Sequence, residues 1–438
     1  MKQRYYPILI GLLFLFCIPC ASAQQIKGVV TDSITKEPLM YVSVYYQEDK
    51  AVGIVTGVDG DYRLTARPNG GTLVFSSIGY VTKAIKIKSG TQTLNVQLSP
   101  DNVLLDQVVV KPKRERYSRK NNPAVEFMKK VIAHKKAQKL EENDYYQYDK
   151  YEKMKTSIND LTPEKLEKGI YKKYSFLKDQ VEVSPTTQKL ILPISIQETA
   201  SQTIYRKDPE SKKTIIKGKN SSGVDEFFST GDMLGTVLKD VFADINIYDN
   251  EIRLLQQRFV SPIGDNAISF YKFYLMDTLM VNQRECVHLT FVPQNSQDFG
   301  FSGHLYVLKD STYAVQKCTM NLPQKSGVNF VNKMSITQQY EQLPNGNWAL
   351  ADDDMTVDLS WNKTDKPALS LQVERTTRYT NYQFQPIEQR LFRMKGDVIK
   401  SSDMLSKSDE YWASVRQVPL TKTENTMDLF VKRLGEIP

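Results

Sequence analysis

The chain has 438 residues, of which 40% are hydrophobic and 25% charged, a balance that excludes wholesale disorder and allows two or three ordinary domains. The formal charge of +8 falls to +6 once Lys2 and Arg4 leave with an N-terminal leader. So small an excess suits solubility and argues against nucleic acid as a partner. Met1–Ala23 is read as that leader: a basic start, the apolar run Ile8–Ile18 and an Ala21-Ser22-Ala23 cleavage site. It is too short to span a bilayer as a helix. Cys17 and Cys20 follow Phe16 and Pro19 rather than a small residue, so lipidation is not expected.

Residues 24–110 read as a run of short strands. Val42, Val44 and Tyr46 alternate with Tyr41, Ser43 and Tyr45, and Leu94, Val96 and Leu98 with Asn95 and Gln97. Asp59-Gly60, Pro68-Asn69-Gly70-Gly71 and Ser89-Gly90 supply turns. No helical period appears, and a seven-strand-type β-sandwich is predicted. Residues 111–122 form a linker with six basic residues and one acid. Asn122-Pro123 then caps a helix whose apolar face is Ala124, Val125, Phe127, Met128, Val131 and Ile132. Tyr145–Tyr151 reads as a strand, Thr162-Pro163 as the start of a second helix, and Asp232–Phe242 as a third helix.

From Arg253 to about Met394 the chain reads as a β-meander. Its clearest strands are Ile268–Met276, Cys286–Val292, His304–Leu308, Tyr313–Met320, Asn329–Tyr340, Met355–Trp361 and Leu369–Tyr379. The fold class is therefore mainly β with some α. The sandwich precedes a larger α+β domain (residues 123–400) with a curled, half-barrel-like antiparallel sheet, and residues 401–438 form a C-terminal tail.

Two resemblances follow from motifs. Gly28-Val29-Val30-Thr31-Asp32, Glu37-Pro38-Leu39, Asp59-Gly60-Asp61-Tyr62 and Ile78-Gly79-Tyr80, in that order and followed by Leu105–Val110, resemble the carboxypeptidase-regulatory-like domain. That transthyretin-like sandwich often precedes outer-membrane receptors of Gram-negative bacteria. Asn122-Pro123-Ala124, Ser261-Pro262-Ile263, Gln297–Gly303, Asn329-Phe330-Val331 and Tyr411-Trp412 resemble an outer-membrane-associated family of unknown function fused behind such a module. The resemblance implies an envelope location. It also implies a C-terminal β-barrel, which would begin at about Pro438.

No catalytic, cofactor or metal site is predicted. His134, His288 and His304 are the only histidines, and none has the spacing of a zinc peptidase. Gly300-Phe301-Ser302-Gly303-His304 has histidine where a nucleophile elbow needs its last glycine. Ser302 and His304 on one strand face would also stand roughly 6.5–7 Å apart at Cα, long for a hydrogen bond. Asp352-Asp353-Asp354 lacks a calcium-loop pattern and is read as a polar loop, and Asp59-Gly60-Asp61 as a hairpin turn. Tyr145, Tyr146, Tyr148 and Tyr151 are read as core, with a sugar-stacking platform as the alternative. Alternation argues mildly against a Cys286–Cys318 disulfide, which stays open.

The reading that results is a non-enzymatic, periplasm-facing binding or assembly module at the outer membrane, with no cofactor. Its partner is an outer-membrane or periplasmic protein, or a lipid or glycan. Two alternatives stand beside it: a carrier of a lipid or other apolar ligand, and the periplasmic part of a longer barrel protein.

Overall fold

A computed structural model describes residues 24–99, 117–224, 243–322, 331–361 and 369–436, apart from loop positions 34–35, 37, 40–41, 58, 78–79, 185, 188, 255–256, 282–283 and 296–297. The leader, most of the basic linker and the third predicted helix lie outside these residues. The chain divides into two compact units, one holding residues up to Asp101 together with Met280–Gln283, the other the remainder.

Among the described residues the elements of the first unit are strands: β1 (Gln25–Asp32), β2 (Ser43–Tyr46), β3 (Asp49–Val55), β4 (Asp61–Thr65), β5 (Gly71–Ser76), β6 (Lys83–Ile87), β7 (Gln92–Thr93) and β8 (Val96–Leu98). One sheet runs β4-β1-β7 with β8 also on β1, and the other runs β3-β2-β5-β6. Ile26, Val30, Val44, Tyr62, Leu73 and Phe75 are among the residues that fill the space between them.

The seven-strand expectation holds in substance, because β7 and β8 are two halves of one edge strand, both parallel to β1. The break falls at Leu94-Asn95. There the Asn95 side chain accepts a hydrogen bond from Val29 N (3.0 Å), and Tyr62 Oη donates to Leu94 O (2.7 Å). A Cβ on Gly28 would lie 1.9 Å from Leu94 O, so the close approach of backbone requires glycine there. The wet side expected for β2 is absent: all four of its residues are buried.

The second unit opens with α1 (Pro123–His134), whose N-cap Asn122 Oδ1 accepts from Ala124 N (3.0 Å) and whose buried face is Ala124, Val125, Met128 and Val131. The 14-residue β9 (Tyr145–Ile158) follows. Three short helices, α2 (Pro163–Leu166), α3 (Gly169–Lys173) and α4 (Phe176–Asp179), lead to β10 (Glu182–Val183) and the long hairpin β11 (Leu190–Arg206) and β12 (Ser211–Gly223).

The remaining strands are β13 (Glu251–Leu254), β14 (Gln257–Val260), β15 (Tyr271–Val281), β16 (Arg284–Pro293), β17 (Ser302–Leu308), β18 (Val315–Leu322), β19 (Val331–Gln342), β20 (Trp348–Trp361), β21 (Leu369–Gln383) and β22 (Val398–Lys400). A 12-stranded sheet runs β15-β16-β17-β18-β19-β20-β21-β9-β11-β12-β22, with β10 on β11. From β16 through β21, β9 and β11 to β12 the ladders are antiparallel, and β22 pairs with β12 in parallel. Among the described residues no ladder joins β15 to β22, so the sheet is open. Helices α5 (Ala267–Phe270), α6 (Gln389–Phe392), α7 (Asp409–Val415), α8 (Lys422–Asn425) and α9 (Met427–Gly435) complete the unit.

Three expectations are corrected. The strand predicted from Ile268 begins at Tyr271, because Ala267–Phe270 make one helical turn first. The strand predicted from Tyr313 begins at Val315, since Tyr313 turns the chain with a φ of 50°. Asp352-Asp353-Asp354 is no loop: it lies inside β20, where Asp353 is fully buried against Arg375. The β11–β12 hairpin is a further element that the sequence does not announce, because its polar stretches hide a period of two.

Candidate ligand pocket on the large sheet

Alternation sends Tyr146, Tyr148 and Lys150 of β9 to one face of the sheet and Tyr151, Lys153 and Lys155 to the other. On the second face Tyr151 Oη donates to Glu198 (2.6 Å), which also takes both arms of Arg416 (2.7 Å each). Lys153 meets Glu424 at 2.8 Å, with both side chains buried. These bonds bring the C-terminal helices onto the sheet, and Trp412 packs there against Tyr151 and Ala200.

The first face carries the candidate site. Tyr146 stacks on its cross-strand partner Tyr205 (centroids 4.6 Å apart, planes at 14°), and Tyr148 meets Tyr379 edge-on (5.5 Å, 72°). These four rings form one buried cluster with Leu350, Tyr382 and Phe384 packed on it. The core reading of Tyr146, Tyr148 and Tyr151 holds. Tyr145 is only half-buried.

Beside the cluster the packing is incomplete. A cavity of about 100 Å³ is lined by Tyr146, Tyr148, Tyr340, Trp348, Tyr379 and Tyr382, among others. Its cover is Ile245–Tyr248, held by a hydrogen bond from Gln338 Nε2 to Ile245 O (2.8 Å) and by Tyr248 edge-on to Tyr340 (5.5 Å, 80°). Asp244, which lines the pocket, pairs with Lys150 (2.7 Å), and Lys150 also meets Glu152 (3.2 Å). Burial works against the Lys150 ammonium, but those two carboxylates hold its pKa above the ordinary value. Burial likewise pushes up the phenols of Tyr146, Tyr340, Tyr379 and Tyr382, which therefore remain neutral.

Three of these hydroxyls are already committed, Tyr146 to Glu141 Oε1 (3.2 Å), Tyr340 to Gln338 Oε1 (2.9 Å) and Tyr382 to Leu350 O (2.6 Å). Trp348 is different. Its ring is 4% exposed, with the Arg284 guanidinium 5.4 Å from it, and its Nε1–H has no hydrogen-bond partner. Buried donors are nearly always paired, so this one is an exception.

Sequence reasoning placed His288 and His304 on strands without bringing them together. The register puts them on neighbouring β16 and β17, with His288 Nε2 2.8 Å from His304 Nδ1 and His288 Nδ1 2.9 Å from Asp277. Burial, then the neighbouring His288, lower the His304 pKa to about 4. The pairing could not be read from spacing, because it depends on which strands are neighbours. His304 turns to His288 rather than to Ser302, so the order Asp277–His288–His304 ends without a nucleophile. Gly303 serves packing: a Cβ there would stand 1.8 Å from Thr319 O.

His134 ends α1, where its ring meets Tyr313. Among the described residues no group of three or more His, Cys, Asp or Glu is placed to hold a metal ion. Cys286 and Cys318 are free and buried. They sit on β16 and β18 with β17 between, roughly 9.5 Å apart by strand spacing alone, beyond the reach of a disulfide. Burial raises the Cys286 thiol to about 12 and that of Cys318 further, so neither is a nucleophile at neutral pH.

Residues 26–110 match the CarboxypepD_reg-like domain, and residues 127–371, more than half of the chain, match the family of unknown function DUF5686. The chain belongs to DUF5686. No functionally curated protein matches it.

Solved structures similar to this DUF5686 chain include a DUF1329 family protein from Desulfovibrio piger (10% identity, 62% of this chain and 97% of that one, TM-score 0.24). A second is a putative outer membrane lipoprotein-sorting protein domain from Vibrio parahaemolyticus (11%, 61% and 97%, TM-score 0.24). A third is a LolA superfamily protein from Nitrosomonas europaea (12%, 61% and 96%, TM-score 0.24). At these TM-scores they say nothing of what this chain binds. Neither matched family is described as an enzyme.

Proposed function

We propose that this DUF5686 chain is a non-catalytic binding module of the cell envelope, facing the periplasm at the outer membrane. Its α+β unit receives a ligand or partner in the aromatic pocket. The observation that carries this is the cavity itself: a gap walled by tyrosines on one face of the sheet, with Asp244 and Lys212 also in its lining. Ligand sites combine apolar walls with a few placed polar groups in this way. The leader read in Met1–Ala23 supports the location, and no helix among the described residues is long and apolar enough to cross a membrane.

For an acyl chain the aromatic pocket is small: pockets that enclose drug-sized ligands run to roughly 300–1,000 Å³, a range reached by a second cavity of about 460 Å³ beside Phe176, Leu429 and Phe430 but not by this one. A photo-crosslinking residue in place of Lys212, which lines the pocket, tests the proposal in native envelopes. A discrete adduct from position 212, absent when the same group replaces the exposed Leu405, is the expected result. Identical patterns from both positions would refute the pocket as a binding site.

A further inference from the structure

We infer that the groove between α4 and the C-terminal helices α8 and α9 holds the acyl chain of a single anionic lipid, whose charged head lies against Lys422 and Arg433. This site is separate from the aromatic pocket and does not depend on it. Size, apolar lining and charge converge on the inference.

The cavity measures about 460 Å³, inside the roughly 300–1,000 Å³ range of pockets that enclose drug-sized ligands. Its walls are fixed to each other. Gln180 Nε2 donates to Thr423 O (3.1 Å), which ties the end of α4 to α8, and Phe176 of α4 meets Phe430 of α9 edge-on (6.0 Å, 62°). Both rings line the cavity together with Leu429, which is 50% exposed. An acyl chain laid there takes the open leucine out of water.

Charge selects the head. Lys422 and Arg433 line the same cavity and are exposed, and among the described residues neither makes an ion pair. Asp179 is the one carboxylate in the lining, so positive charge is in excess there. The adjoining α3 adds the exposed Lys172 and Lys173, the latter with its ammonium 5.1 Å from the Tyr174 ring, and an Ile170 that is 47% exposed. A neutral amphiphile would leave the two cations of the lining unpaired, and a small anion would leave Leu429 uncovered. An anionic lipid satisfies both, since apolar burial and attraction to basic side chains add in lipid binding.

The test is calorimetric titration of the whole mature protein with decanoate, octanoate and the neutral decyl maltoside, each below its micellar concentration. Two variants accompany the wild type: Leu429→Glu, which sets a carboxylate in the lining, and Lys422→Gln combined with Arg433→Gln. All three positions are exposed, and thermal melts show that the variants are folded.

Saturable decanoate binding is expected, about tenfold tighter than that of octanoate for two further buried methylenes. The double variant should weaken decanoate about three- to tenfold and leave decyl maltoside unchanged, and Leu429→Glu should abolish decanoate binding. Decanoate binding untouched by Leu429→Glu would overturn the inference, because the chain would then lie elsewhere. Decyl maltoside bound as tightly as decanoate would overturn the anionic head. Binding of none of the three would overturn the site itself, and the crosslink at position 212 would still decide the aromatic pocket by itself.

Discussion

Arg375 and Asp353 meet at 2.9 Å in the middle of the large sheet, 1% and 0% exposed. A buried pair of this kind adds little over apolar residues of the same volume, but halving it strands a charge away from water. Arg375→Met is therefore expected to cost about 3–5 kcal/mol in urea unfolding, and adding Asp353→Leu should restore most of that. If the double variant is as unstable as the single one, the loss comes from packing and not from the stranded charge. His304 sets a pH dependence. Its imidazole takes up a proton near 6.5 in the unfolded chain but only near 4 in the folded one. The unfolded state thus binds more protons between those values. Stability is full above pH 6.5 and falls toward pH 4, by roughly 3 kcal/mol at most from this group. His304→Gln should flatten urea midpoints across that window, and an unchanged slope would assign it to other groups.

The C-terminal helices show how an element is held by a few polar contacts. Thr421 and Glu424 make a capping box at the start of α8, and the same Glu424 carboxylate reaches Lys153 of β9 at 2.8 Å, with 2% and 8% of the two side chains exposed. Met427 and Phe430 then bury the inner side of α9. Glu424→Ala removes a cap and strands the Lys153 ammonium, so α8 and α9 should lose their hold on the sheet before the sheet itself opens. Hydrogen exchange checks this: amides of 422–435 should lose protection by tenfold or more, with those at the centre of β9 unchanged. Equal loss in both would mean that the helices and the sheet unfold as one. The chain order and turn chemistry of this segment gave no hint of the contact. It joins residues 271 positions apart.

Across the whole molecule each unit has its own core. The sandwich closes around Ile26, Val44, Leu73 and Phe75, and the larger unit around the faces of its 12-stranded sheet. Residues 24–100 produced alone are expected to unfold cooperatively, with the near-ultraviolet signal of packed tyrosines, and a gradual, unstructured transition would contradict this. Limited trypsin digestion of the full chain should cut first in the basic run Lys113–Arg116, as mass spectrometry of the first fragments would show. First cuts inside the sandwich would count against its being a self-contained fold.

Sequence alone determined what local physics writes into neighbouring residues. The alternation of Val96 and Leu98 about Gln97 in β8, the Asn122-Pro123 cap of α1 and the turn at Asp59-Gly60 depend on residues a few positions apart, and all were legible. The motif order was sufficient to indicate both families. Only the tertiary structure decided which strands lie side by side, and the site depends on that. A polar run such as Asp352–Asp354 looks like a loop until Arg375 and Arg378 on the next strand neutralise it. Tyr146 and Trp348 line one cavity because β9, β20 and β21 are neighbours, though some two hundred residues separate the two in the chain. Pairing energy between distant strands leaves no periodic trace in either of them, so the pocket became visible only when the sheet was assembled.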